Sequence, residues 1–64
     1  MADQELINII KKKFKNLSNK QLVERLNRRA LAGANDDDEL FELVQRRNAG
    51  KLNFKADWDS YSLI

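Results

Sequence analysis

The chain has 64 residues with no histidine, cysteine or proline, and its twelve basic and ten acidic side chains leave a formal net charge of +2. This composition excludes disulfides and the usual zinc sites, the common staples of a small domain, and removes histidine and cysteine from any catalytic scheme. A chain this short makes one domain at most and buries only about 60% of the surface that its unfolded form exposes, so self-association or docking on a larger protein is the expected compensation.

The first element is predicted over about Asp3 to Lys15. Leu6, Ile10, Phe14 and Leu17 recur at helical spacing with Ile7 beside them, and they are expected to be this helix's share of the core. Acids stand at its start and Lys11, Lys12, Lys13 and Lys15 at its end, the order favoured by the helix dipole. The same lysine-flanked stripe resembles a membrane-surface helix, a reading that ranks below the core. No apolar run approaches the roughly 20 residues that span a bilayer, and the N-terminus lacks the order of a signal peptide, so a cytoplasmic protein is expected.

Ser18 and Gln21 are spaced as a capping box, and Leu17 and Leu22 occupy the positions of a hydrophobic staple around it. These mark the start of a second helix with Leu22, Val23, Leu26 and Ala30 on one face and Gly33 as its left-handed stop. A third helix begins at Asn35 or Asp36, with Asp36 and Glu39 again at capping-box spacing and acids on the positive end of the dipole. Its stripe is Leu40, Phe41, Leu43 and Val44, and Gly50 ends it.

The second and third helices share an octet, LVERLNRR at 22–29 and LFELVQRR at 40–47. In each, glutamate precedes the first arginine by four residues, the favourable order for a helical ion pair; Glu24 with Arg28 and Glu42 with Arg46 are expected on the side away from the apolar stripe. Arg29 and Arg47 flank the buried face, with long stems able to pack on it or reach a partner. The one mismatch is Arg25 against Leu43, which gives the third helix the wider apolar face and the expected central place, against both other helices.

After Gly50 the pattern becomes KLNFKADWDSYSLI, where Leu52, Phe54, Ala56 and Trp58 alternate with polar residues as in a half-buried strand. A helical spacing of Phe54, Trp58 and Tyr61 competes with it. A single strand has no partner among three helices, so it is expected to pair with a second copy, extend another protein's sheet, or lie across the helices. The predicted architecture is all-α: a three-helix domain over 1–50, its second and third helices a hairpin, followed by an aromatic C-terminal arm over 51–64.

For function, the residues offer no glycine-rich phosphate loop, nucleophile motif or spaced calcium ligands, so no enzyme activity, cofactor, metal or small-molecule substrate is expected. The leading expectation is a non-enzymatic protein-binding module, a regulator of a larger protein or a self-associating factor, using Arg29, Arg47, Phe54, Trp58 and Tyr61. The alternative is a nucleic-acid-binding accessory protein with Lys11, Lys12, Lys15, Lys20, Arg25 and Arg28 on the phosphates. A helix-turn-helix mode is disfavoured, because the first turn of the third helix would aim Asp36, Asp37, Asp38 and Glu39 at a polyanion.

Overall fold

The computed structural model describes residues 3–58 and 60–64, apart from the side chain of Asp3, one of the acids placed at the head of the first helix. Three helices, α1 (Asp3–Phe14), α2 (Asn19–Leu31) and α3 (Asp37–Asn48), are followed by two short strands, β1 (Phe54–Ala56) and β2 (Tyr61–Leu63). α3 packs against both α1 and α2, and β2 lies along α2.

The helix boundaries follow from local chemistry. At the head of α2, the Gln21 N–H donates to Ser18 Oγ at 3.1 Å and the Ser18 N–H donates to Gln21 Oε1 at 2.9 Å, completing the capping box. Ser18→Ala is therefore expected to lower stability by about 1 kcal/mol in urea titration, since it leaves an N-terminal amide of the helix without its acceptor. α2 and α3 end in the same way. Gly33 (φ +69°) and Gly50 (φ +76°) take the left-handed conformation, and the following residues fold back, Ala34 N–H to Arg29 O and Lys51 N–H to Arg46 O, both at 2.9 Å. These are Schellman stops, which need a residue without a Cβ at the turn.

At the start of α3, Asn35 rather than Asp36 supplies the capping side chain of the two expected. No side chain caps Asp36, and the box with Glu39 does not form; the Asp37 N–H is accepted instead by Asn35 Oδ1 at 2.9 Å. Glu39 has a stronger use, because it is buried and faces two arginines of α2.

The core consists of Ile10, Phe14, Leu22, Val23, Leu26 and Leu43, with Leu17, Leu40, Phe41, Leu52, Phe54 and Tyr61 packed half-buried around it. α2 buries Leu22, Val23 and Leu26 as expected, whereas Ala30, assigned to the same face, is exposed near the end of the helix. α3 departs from its stripe: its most buried residues are Leu43 and the glutamates Glu39 and Glu42, whereas Leu40, Phe41 and Val44 are only half-buried. The helix is turned by roughly a third of a turn from its apolar stripe, at about 100° per residue. Glu42 and Arg46, expected on the outside, therefore lie inside. Leu6 also departs from expectation, being more than half exposed although it was assigned to the core.

The arm differs most. It is not a lone strand but a hairpin, antiparallel with Phe54 opposite Leu63 and Ala56 opposite Tyr61. Asp57 and Ser60 exchange backbone hydrogen bonds at 2.8 and 3.4 Å, and the Ile64 N–H donates to Asn53 O at 3.1 Å. In this register Tyr61 turns its own N–H and C=O away from β1, toward α2. Asn27 meets both: Tyr61 N–H donates to its Oδ1 at 2.7 Å, and its Nδ2 donates to the Tyr61 carbonyl at 2.9 Å. One side-chain amide thus stands where a third strand would, and the arm is fastened across the helices.

Candidate interaction surfaces

Three groups of polar residues are built by this packing. The first joins the ends of all three helices. Arg46 of α3 donates from Nε to Glu42 Oε2, from one terminal nitrogen to Asn19 Oδ1 and from the other to the Phe14 carbonyl, each at 2.9 Å. The guanidinium is nearly enclosed, its side chain 12% exposed beside a Glu42 side chain at 8%. It supplies a donor to the last turn of α1, where carbonyls lack helical partners, and it fixes Asn19 at the first turn of α2. Asn19 also donates from Nδ2 to Lys51 O at 3.4 Å. The other Glu42 oxygen, Oε1, is buried with no hydrogen-bond partner among the described residues.

The second group is the α2–α3 bridge. Glu39 Oε2 lies 3.0 Å from Arg25 Nε and 2.6 Å from Arg29 Nε, and the carboxylate is buried while both arginines are partly exposed. Arg25 also sits over the Phe14 ring, its Cζ 5.8 Å from the centroid. The sequence mismatch has a structural sense: at this position α2 provides a cation for a buried acid, and α3 provides Leu43 for the core.

The third group is the hairpin. Phe54 and Tyr61 tilt against each other with centroids 6.2 Å apart, and Arg47 lies over the Phe54 ring at 5.0 Å. Trp58, in the turn, is fully exposed, as are most of Ile64 and Leu31; Leu63 is exposed to a smaller extent.

Measured against the residues singled out for a protein partner, Arg29 and Arg47 are both engaged within the chain, one on Glu39 and one on Phe54. Phe54 and Tyr61 are half-buried against the core. Trp58 alone of the five stands clear. Of the basic set, Lys11 and Lys12 on α1 and Lys15 in the turn after it lie together, Arg25 is drawn to Glu39, and Lys20 and Arg28 are exposed elsewhere. Arg28 makes no ion pair with Glu24 among the described residues.

A concave groove lies where the helix ends meet, lined by Lys11, Lys15, Asn19, Glu42, Arg46 and Lys51 among others. A second groove, on the outer side of α1, is lined by Glu5, Asn8, Ile9, Lys11, Lys12 and Lys15. Lys51 was not among the sequence candidates. Its signal was the Gly50 stop, which turns the next residue back over the helix end. Lys13, by contrast, is paired with Asp38 at 3.2 Å.

Among the described residues no group of three or more acidic side chains is arranged to hold a metal ion, and no helix is long and apolar enough to cross a membrane. In comparisons with known proteins, no family model, curated protein or solved structure matches the chain.

Proposed function

We propose that the protein is a non-enzymatic binding module whose contact with a partner protein is made by the tip of the hairpin. The observation that carries this reading is Trp58, a fully exposed indole on a turn held in place from below. Tryptophan is large and apolar with one N–H, so a folded chain ordinarily covers it; it is also among the residue types that dominate interface energies. The turn is not a loose tail. Asp57 and Ser60 close it, the Phe54–Tyr61 pair supports it, and Asn27 anchors it to α2. A partner therefore meets an anchor whose conformational freedom is already restricted, which reduces the entropy lost on binding. Leu63 and Ile64 extend apolar surface from the same arm.

The test compares wild type with Trp58→Ala in two measurements. Because Trp58 contacts no core residue, the variant is expected to keep the urea midpoint within about 0.5 kcal/mol. Proteins captured from the native lysate by immobilised wild type, or the self-association seen in sedimentation, are expected to be lost with the variant. Equal capture and equal sedimentation by both chains, with both folded, would refute the hairpin tip as the contact.

A further inference from the structure

A different face of the molecule gathers several of its unpaired lysines. The two grooves share Lys11, in the last turn of α1, and Lys15, in the turn that follows the helix, and these two form the ridge between them. Lys51 lies on one side of that ridge and Lys12 on the other, so the four lysines make one track across the end of α1. None of the four is in an ion pair among the described residues, whereas Lys13, Arg25, Arg29 and Arg46 all are. Two carboxylates border the track. Glu42 is held by Arg46 on the floor, and Glu5 lies at the outer rim. Asp36, Asp37 and Asp38 are at the opposite end of α3, and Glu39 is buried against Arg25 and Arg29.

We infer that this track binds the phosphodiester backbone of a single-stranded nucleic acid. Dipole compensation alone accounts for lysines near the C-terminal ends of α1 and α3. It does not account for four ammonium groups gathered along two adjoining grooves without a single acidic partner. Lys11, Lys12 and Lys15 fall within one short stretch at the end of α1, and their long side chains can engage successive phosphates of a strand. Neutralising phosphates releases condensed counterions, a gain that requires no shape match. A strand that crosses the Lys11–Lys15 ridge from one groove to the other has to bend, which favours a flexible single strand over a stiff duplex. Ile9, more than half exposed in the outer groove, gives an unstacked base an apolar surface to rest on.

The experiment is fluorescence anisotropy of a labelled oligothymidylate of about 12 nucleotides, a length within the usual site sizes for such proteins, titrated over a series of salt concentrations. Four phosphate contacts predict a slope of log K against log salt of roughly −3. Lys11→Gln, Lys12→Gln, Lys15→Gln and Lys51→Gln are each expected to flatten it by roughly 0.7, while Lys20→Gln and Lys55→Gln, exposed but off the track, leave it unchanged. Glutamine keeps the helix propensity of lysine, so the variants stay folded, which circular dichroism verifies. Absence of association at low salt overturns the inference. So does equal flattening by Lys20→Gln, which would make net charge the whole cause, and so does tighter binding of a duplex of the same length.

Discussion

Arg46→Ala is expected to remove about 3–5 kcal/mol of stability, the usual result of breaking a buried ion pair by deleting one partner. A chain of this length holds in total only about 3–10 kcal/mol at typical values per residue, so the variant is expected to be largely unfolded at room temperature. Three acceptors lose a donor together: Glu42 Oε2, Asn19 Oδ1 and the Phe14 carbonyl, the last keeping the Leu17 N–H. The carboxylate suffers most, because its other oxygen is already buried without a partner. Arg46→Lys is not a conservative replacement here. One ammonium cannot reproduce the planar fork that reaches three acceptors in different directions. Urea titration followed by circular dichroism checks the prediction, with the double variant Glu42→Leu/Arg46→Leu as the second arm. That variant introduces no unpaired charge and is expected to be more stable than Arg46→Ala alone. A loss under 1 kcal/mol in Arg46→Ala would mean that the three helix ends are held by apolar packing and the guanidinium is incidental.

Phe14→Ala is expected to have a comparable effect, about 3–5 kcal/mol, for a different reason. The ring is almost fully buried at the centre of the cluster, and in a six-residue core no neighbour is spare enough to fill the space it leaves. Its faces also receive Arg25 at 5.8 Å and Lys13 at 5.4 Å, and contacts of this kind are worth about 0.5–1 kcal/mol at exposed sites. Phe14→Leu separates the two contributions. It retains most of the apolar volume and loses the ring, so it is expected to be destabilised by less than half as much as the alanine variant. Equal losses in the two would place the effect in the cation contacts rather than in the cavity.

The parts of this fold legible in the sequence were those fixed by neighbours in the chain. Ser18 with Gln21, and Gly33 and Gly50, set helix ends through groups at most a few residues away, and they fall where expected. The apolar periodicity located three helices and placed α3 between the other two. What periodicity could not give was the rotation of α3 about its axis. That rotation depends on Glu39 finding Arg25 and Arg29 across α2, and on Arg46 reaching Phe14, 32 residues earlier in the chain. A glutamate four residues before an arginine reads as surface support unless its tertiary partners are known. The two octets accordingly share letters but not roles. Glu24 and Arg28 are exposed, Glu42 and Arg46 are interior, and the second arginines go to an acid in one helix and to an aromatic ring in the other.

The hairpin is hidden in the sequence by the alternation of Leu52, Phe54, Ala56 and Trp58, which carries the extended pattern through the residues where the chain in fact reverses. The polar segment around Asp57 and Ser60 was the available turn signal. Of the candidate sites, Trp58 and the α1 lysines could be named from residue type alone. Arg25, Arg29, Arg47, Phe54 and Tyr61 are engaged by partners inside the chain, which only the folded arrangement reveals.

A two-stranded ribbon of three residues per strand is marginal in water by itself. Here the amide of Asn27 grips the Tyr61 backbone from a helix 34 residues away in sequence. Peeling the ribbon away exposes two bonded backbone groups and the half-buried faces of Phe54 and Tyr61 at once, and melting α2 releases the ribbon in turn. The clamp therefore couples β1 and β2 to the second helix as a single foldon, whose amide protons are expected to exchange together rather than fray from the C-terminus inward.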